Sequence, residues 1–144
     1  MSDADMKAMQ SYQLTASGLT KYTRAVHNMI QVTKAHPEIA KEEDGSKANS
    51  LADIAAIYDR HPEVKRAITS AGMSSRDFVL FTIVLAQSGA AMSMQQANGG
   101  KLPPGVQPAN VEFLKAHEAD LLKLEQEMQQ ADSAAADTSG GRGR

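Results

Sequence analysis

The stretch from Met73 to Asn98 reads MSSRDFVLFTIVLAQSGAAMSMQQAN, and the rest of the chain is best interpreted around it. Ser74 and Asp77 have the spacing of a helix capping box, while Met73 and Phe78 are placed to pack together as a hydrophobic staple. Apolar side chains then fill nearly every position as far as Ala86, which leaves little room for a polar face. The sequence therefore predicts a helix that begins at Ser74 and is surrounded by the other helices.

A membrane-spanning helix is the alternative, because no charged residue occurs between Asp77 and Lys101. A span requires about 20 consecutive apolar residues. Polar residues interrupt the second half of this stretch well before that length is reached, namely Gln87, Ser88, Ser93, Gln95, Gln96 and Asn98. We expect a buried central helix and no membrane span.

Three helices are predicted before this one. Apolar residues at helical spacing from Leu19 indicate a helix that ends near His36, with a short turn through Ile39 and a charged loop over residues 41–49. Ser50 caps a second helix that ends at His61. A third begins at Pro62, where the missing amide hydrogen costs nothing, and Gly72 closes it.

One helix is predicted after the glycine- and proline-rich crossover GGKLPPGVQP at residues 99–108. Asn110 is the expected cap, and the apolar stripe is predicted to pack on the central helix. The members of that stripe are Leu114, His117, Leu121, Leu124 and Met128. The chain is thus expected to be an all-α bundle of about five helices, with a flexible segment at 1–13, a helical domain at 14–130 and a disordered tail at 131–144.

Composition excludes several classes of function. Lys and Arg total 15 against 17 Asp and Glu, a net charge of −2 with no basic block, which argues against a nucleic-acid partner. The chain has no cysteine, so disulfides, zinc–thiolate sites and thiol chemistry are excluded. We expect no signal peptide within the first ten residues, because they are polar and acidic.

Two HPE segments, AHPEI at 35–39 and RHPEV at 60–64, suggest paired ligands at first sight. A proline that starts a helical turn, followed by a glutamate near the positive end of the helix dipole, explains both without a ligand. The eight methionines suggest a copper site. Met92 and Met94 would point apart on a helix, however, and Met6 and Met9 lie in a terminus expected to fray, so we predict no metal site.

His117 is the main candidate for binding, since it lies on an apolar stripe. It would hydrogen-bond within the core, orient a polar head group in an apolar pocket, or ligate a non-covalent haem. The accompanying candidate cofactor-binding residues are Phe113, Phe81, Leu85 and Met29. We expect no bound cofactor, with haem as the alternative, and His27 is expected to be solvated.

Enzyme signatures are missing from the chain. His117 and Glu118 begin like a zinc-protease helix, but Leu121 stands where the second histidine is required. The phosphate-binding loop, the dinucleotide fingerprint and the G-x-S-x-G elbow are also missing. We therefore predict no catalytic residue, and an unrecognised enzyme remains an alternative.

The segments HPEVKRAITSAGMSSRDFVL and LPPGVQPANVEFLKAHEADL resemble parts of small, apparently exported helical bacterial proteins of unknown function. The resemblance covers roughly residues 16–128 and implies a periplasmic or extracellular location; the cytoplasm is the alternative. It transfers no functional residue. We expect a non-enzymatic binding protein that takes an apolar small molecule or a protein partner in the region around the central and last helices. A structural subunit that assembles through an amphipathic helix is the alternative.

Overall fold

Helices and short connections make up the chain in the computed structural model, which describes residues 1–42 and 47–140, with side chains at 1–39 and 47–132. No strand occurs in that part of the chain, so the predicted all-α class is confirmed. The described helices are α1 (Asp3–Ser11), α2 (Ala16–Ala35), α3 (Pro37–Glu42), α4 (Leu51–Asp59), α5 (Pro62–Thr69), α6 (Ser75–Ala97), α7 (Pro108–Ala116) and α8 (Glu118–Gly140).

Helix α6 is the predicted central helix, and α1, α2, α4, α5 and α7 all pack against it. Its Ser74 hydroxyl accepts a hydrogen bond from the Asp77 amide at 3.0 Å, as the capping pattern predicts. The Tyr22 ring of α2 stacks on Phe81 and Phe78, with centroid distances of 4.7 and 5.1 Å. By length and composition alone α6 is also able to cross a membrane, although 39% of its most apolar window is buried inside the fold.

Several of the other predicted helix boundaries are also observed. Pro37 begins α3, and Pro62 begins α5 directly after His61. The Ser50 hydroxyl accepts from the Asp53 amide at 3.0 Å and caps α4. Gly72 follows α5 with φ of +96°, a left-handed conformation that glycine adopts without steric cost.

The N-terminal segment differs from the prediction, because residues 3–11 form helix α1 instead of a flexible segment. The Ser2 hydroxyl caps α1 by accepting from the Asp5 amide at 3.1 Å. Only Asp5 and Met9 of this helix are buried, which leaves no apolar period for sequence reasoning to find. Its stability comes from packing on α6, which is a tertiary contact.

Asn110 has a different role from the predicted one. Gln107 is the residue at the cap position of α7, and Pro108 starts the helix. The Asn110 side chain is buried; its Oδ1 accepts from the Leu14 amide and its Nδ2 donates to the Tyr12 carbonyl, both at 2.9 Å. Asn110 therefore holds the α1–α2 connection against α7.

The predicted last helix is divided at His117, whose φ of −115° and ψ of 23° separate α7 from α8. Helix α7 packs on α6, whereas the main neighbours of α8 are α2 and α7. The predicted packing of the stripe on the central helix therefore holds for the part in α7 and not for the part in α8. Helix α8 extends as far as Gly140. The last four residues of the predicted tail, 141–144, lie outside the described residues. The same holds for residues 43–46 of the predicted charged loop.

Candidate functional site: a groove between α6 and α8

Because α8 lies against α2, an apolar groove of about 630 Å³ opens between α8 and α6. The α6 wall is formed by Leu85, Ala86, Gly89 and Met92, which share one face of the helix at spacings of three and four. The α8 wall carries leucines, and Leu114 of α7 contributes beside them. Its apolar members are Leu121, Leu122, Leu124 and Met128.

Large apolar side chains face solvent along this groove. Leu122 is 53% exposed and Met128 is 39% exposed, whereas Leu124 at the base is 4% exposed. A side chain added at Gly89 would meet no atom within 4 Å, so the α6 wall is open there. Contiguous exposed apolar surface with a polar rim is typical of an interaction site.

Acidic side chains form the rim on α8. Glu118, Glu125 and Asp132 all line the groove and are spaced seven residues apart, which places them along one side of the helix. No lysine, arginine or histidine stands among the described residues that line it. The groove is therefore apolar at its base and negative along one edge.

Tyr22 and Thr82 supply the hydroxyl groups at one end of the groove. The Thr82 hydroxyl donates to the Phe78 carbonyl at 2.8 Å and lies 3.3 Å from the Tyr22 hydroxyl. Burial raises the pKa of Tyr22, and the hydrogen bond with Thr82 offsets part of that rise. Tyr22 is therefore neutral at physiological pH, and the end of the groove offers hydrogen bonds without charge.

The five candidate residues from the sequence do not converge on one site. Leu85 lines the groove, but Phe81 is fully buried in the aromatic core and Met29 is a partly buried residue packed against that core. Phe113 and His117 do contact one another, with ring centroids 4.3 Å apart. They lie at the α7–α8 junction.

His117 lines a second groove of about 350 Å³ between α2 and α8, and charged side chains stand among its lining residues. Its Nδ1 lies 3.9 Å from an Asp120 carboxylate oxygen. His27 is exposed, as expected, and across the same groove it also hydrogen-bonds to Glu127, a pairing that was not predicted. Haem requires a roomy apolar slot, and the charged side chains around His117 do not fit that requirement.

Sequence reasoning placed binding around the central and last helices, but it did not predict an open groove there, because two apolar stripes predict helices in contact. One signal was available: Leu122 lies off the stripe of the last helix, and Glu118, Glu125 and Asp132 recur every seven residues beside it. Among the side chains described, no group of three His, Asp or Glu residues is placed to hold a metal ion.

Comparison with known proteins adds no relative: no protein-family model matches the chain, and no curated protein or solved structure matches it.

Proposed function

We propose that this chain is a non-enzymatic binding protein whose α6–α8 groove receives the apolar face of a helix from a partner protein, with basic residues flanking that face. The observation that carries the proposal is the combination of exposed Leu122 and Met128 with an acidic edge, where the described lining residues include no basic side chain. Amphipathic helices commonly dock in such grooves through apolar residues at spacings of three and four.

The dimensions of the groove suit a short helix. Glu118 and Asp132 are fourteen residues apart on α8, which corresponds to about 21 Å of helix axis. A partner segment of about four turns would therefore extend along the whole acidic edge. Lysine or arginine on one flank would pair with Glu118, Glu125 and Asp132 while leucines filled the base.

Two other occupants fit less well. Pockets for small molecules enclose most of the ligand surface, whereas Leu122 and Met128, which line this groove, remain exposed to solvent. A second copy of the chain would set one acidic edge against another, since the chain has net charge −2 and the rim is acidic. An exported location belongs to this proposal too, and it is supported by the resemblance of the sequence alone.

The proposal is tested with a synthetic, fluorescein-labelled amphipathic helix of leucine and lysine, about 18 residues long to cover the groove with one extra turn. Fluorescence anisotropy measures its affinity for the full chain. We expect saturable binding at one site that weakens as salt is raised, because the rim charges are solvent-exposed. A leucine–glutamate helix of the same length should bind at least about tenfold more weakly.

Variants locate the binding site. Glu118→Lys with Glu125→Lys should weaken the leucine–lysine helix at least about tenfold. The matched control is Glu112→Lys with Asp120→Lys, which makes the same change in net charge at exposed positions outside the groove. Gly89→Leu should block the groove without a steric clash inside the fold.

Equal losses in the rim and control pairs, or full binding by Gly89→Leu, would overturn the proposal. Binding of a fluorescent fatty acid that Gly89→Leu abolishes, without binding of either peptide, would replace the partner helix with an apolar small molecule.

A further inference from the structure

Three methionines line a groove on another face of α6, and the proposed docking of a helix does not use them. Met6 and Met9 come from α1 and Met94 comes from the second half of α6. The groove has a volume of about 310 Å³. Met92, only two residues from Met94, lines the α6–α8 groove instead, as expected for residues that point apart on a helix.

Helix α1 is held in place, so its methionines are positioned by the fold. One carboxylate oxygen of Asp5 accepts from the Leu51 amide at 3.3 Å. At the other end, the Gln107 side chain donates to the carbonyl of Gln10, and Gly105 lies against the Gln10 side chain. The sequence predicts that this terminus frays and therefore predicts no methionine site. In the structure the same residues form helix α1.

Met6 and Met9 are three residues apart and project from the same side of α1. Met9 is 7% exposed, whereas Met6 and Met94 are 45% and 48% exposed. One thioether is therefore fixed at the base of the groove, and two stand at its opening with freedom to change rotamer. Methionine has three rotatable bonds, so a change of rotamer is able to turn its sulfur toward a ligand.

The remaining lining of this groove has no formal charge. No carboxylate, histidine, lysine or arginine occurs among the described lining residues, and the polar members are the amides Gln10 and Gln87. Magnesium, calcium and zinc prefer oxygen, imidazole or thiolate ligands, while thioethers prefer soft ions such as Cu(I). An uncharged set of sulfur ligands thus discriminates against hard divalent cations.

We propose that Met6, Met9 and Met94 form a three-thioether site for a soft monovalent cation, Cu(I), for which Ag(I) is the redox-inert probe. Binding forms sulfur–metal bonds and transfers no electron. The chain has no cysteine, so no thiolate competes for the ion. The site and the docking groove lie on different faces of α6 and are tested independently.

The first experiment uses the intact protein with its methionine methyl groups labelled with carbon-13. Ag(I) is added as its nitrate in a chloride-free buffer and followed by NMR. Of the eight methionine signals, we expect those of Met6, Met9 and Met94 to shift and to saturate at one equivalent. Shifts spread evenly over all eight, or no shift, would overturn the site.

The second experiment measures Cu(I) affinity by competition with a colorimetric Cu(I) chelator under reducing, anaerobic conditions. Met6→Leu, Met9→Leu and Met94→Leu should each weaken binding at least about tenfold. Met92→Leu is the matched control on the same helix and should bind as the wild type does. Retention of wild-type affinity by the triple leucine variant would contradict the proposal.

Circular dichroism checks that each leucine variant keeps its helix content. Leucine has similar volume and a strong helix propensity, so we expect no change. The silver titration of the wild type tests the site even where one variant fails to fold.

Discussion

The two halves of α6 are both uncharged after Asp77, yet they are used in opposite ways. In the first half Phe78, Val79, Leu80, Phe81 and Val84 are buried. In the second half only Ser88 and Ala91 are buried, and the residues that line one or the other groove include Gln87, Gly89, Ala90, Met92 and Met94. A helix that is anchored along one half is able to present the other half as binding surface without losing its position.

Aromatic side chains explain this division. Tyr12, Tyr22 and Tyr58 all pack on Phe78 or Phe81 in the first half. The second half offers glycine, alanine, serine and glutamine in their place, with methionine as its large apolar residue. Such side chains bury too little area to draw in every neighbouring helix, so open space remains beside them.

The largest contrast is expected from truncating one side chain in each half. Phe81→Ala should lower the free energy of unfolding by about 3–5 kcal/mol, because it leaves a cavity at a fully buried position. Met94→Ala, at a half-exposed position, should change it by less than about 0.5 kcal/mol. Urea unfolding followed by circular dichroism measures both. Similar losses at the two positions would remove the distinction between the halves.

Asn110 tests how the α1–α2 connection is fixed against the first half of α6. It hydrogen-bonds to this connection, and Tyr12 of the connection packs on Phe81. Asn110→Ala would leave the buried Leu14 amide and the Tyr12 carbonyl without these partners. We expect a loss of about 1–3 kcal/mol in the same urea experiment. Asn98→Ala, at an exposed position after α6, is the control and should be nearly neutral. A neutral Asn110→Ala would show that water replaces the side chain.

Two glycines should respond with opposite signs to the same substitution. A Cβ at Gly18 would lie 3.1 Å from the buried Phe81 ring and 3.0 Å from the Thr15 hydroxyl, so Gly18→Ala should destabilise the fold by about 1 kcal/mol. Gly89 has open space beside it, and Gly89→Ala should stabilise α6 by about 0.5–1 kcal/mol. Thermal unfolding distinguishes the two signs. A destabilising Gly89→Ala would mean that other atoms pack closely against Gly89 in the second half of α6.

The smallest expected effect is a pH dependence at Asp5, which anchors α1 beside the second half. Burial raises its pKa, but backbone hydrogen bonds from Leu51 and Ser2, the Ser2 hydroxyl and the charge of Arg76 outweigh it, so the pKa lies below its ordinary value of 3.8.

Because the folded-state pKa is lowered, the stability that Asp5 contributes is present above pH 3.8 and is lost as pH falls through the lowered value. Asp5→Asn should therefore flatten the acid limb of the unfolding free energy below pH 3.8. If the acid limb is unchanged in this variant, other carboxylates cause the loss of stability at low pH.

Local chemistry made much of the fold predictable. Ser50 and Ser74 accept from the amide three residues later, Pro62 cannot extend a preceding helix, and Gly72 adopts positive φ without a Cβ clash. Each of these effects is decided within a few residues, so a single sequence displays it. Of the candidate site, only Leu85 was identified in advance.

The sequence by itself determined the all-helical class, the starts of α4, α5 and α6 and the central place of α6, because capping, proline geometry and an all-round apolar stretch act locally. Only the tertiary structure decided that α1 is a packed helix, that Asn110 hydrogen-bonds to the α1–α2 connection and that α8 packs against α2. Those outcomes depend on which surfaces pack together. An apolar stripe indicates that one face of a helix is buried, but it does not indicate which other helix buries it. The two grooves beside α6 follow from that choice of partner.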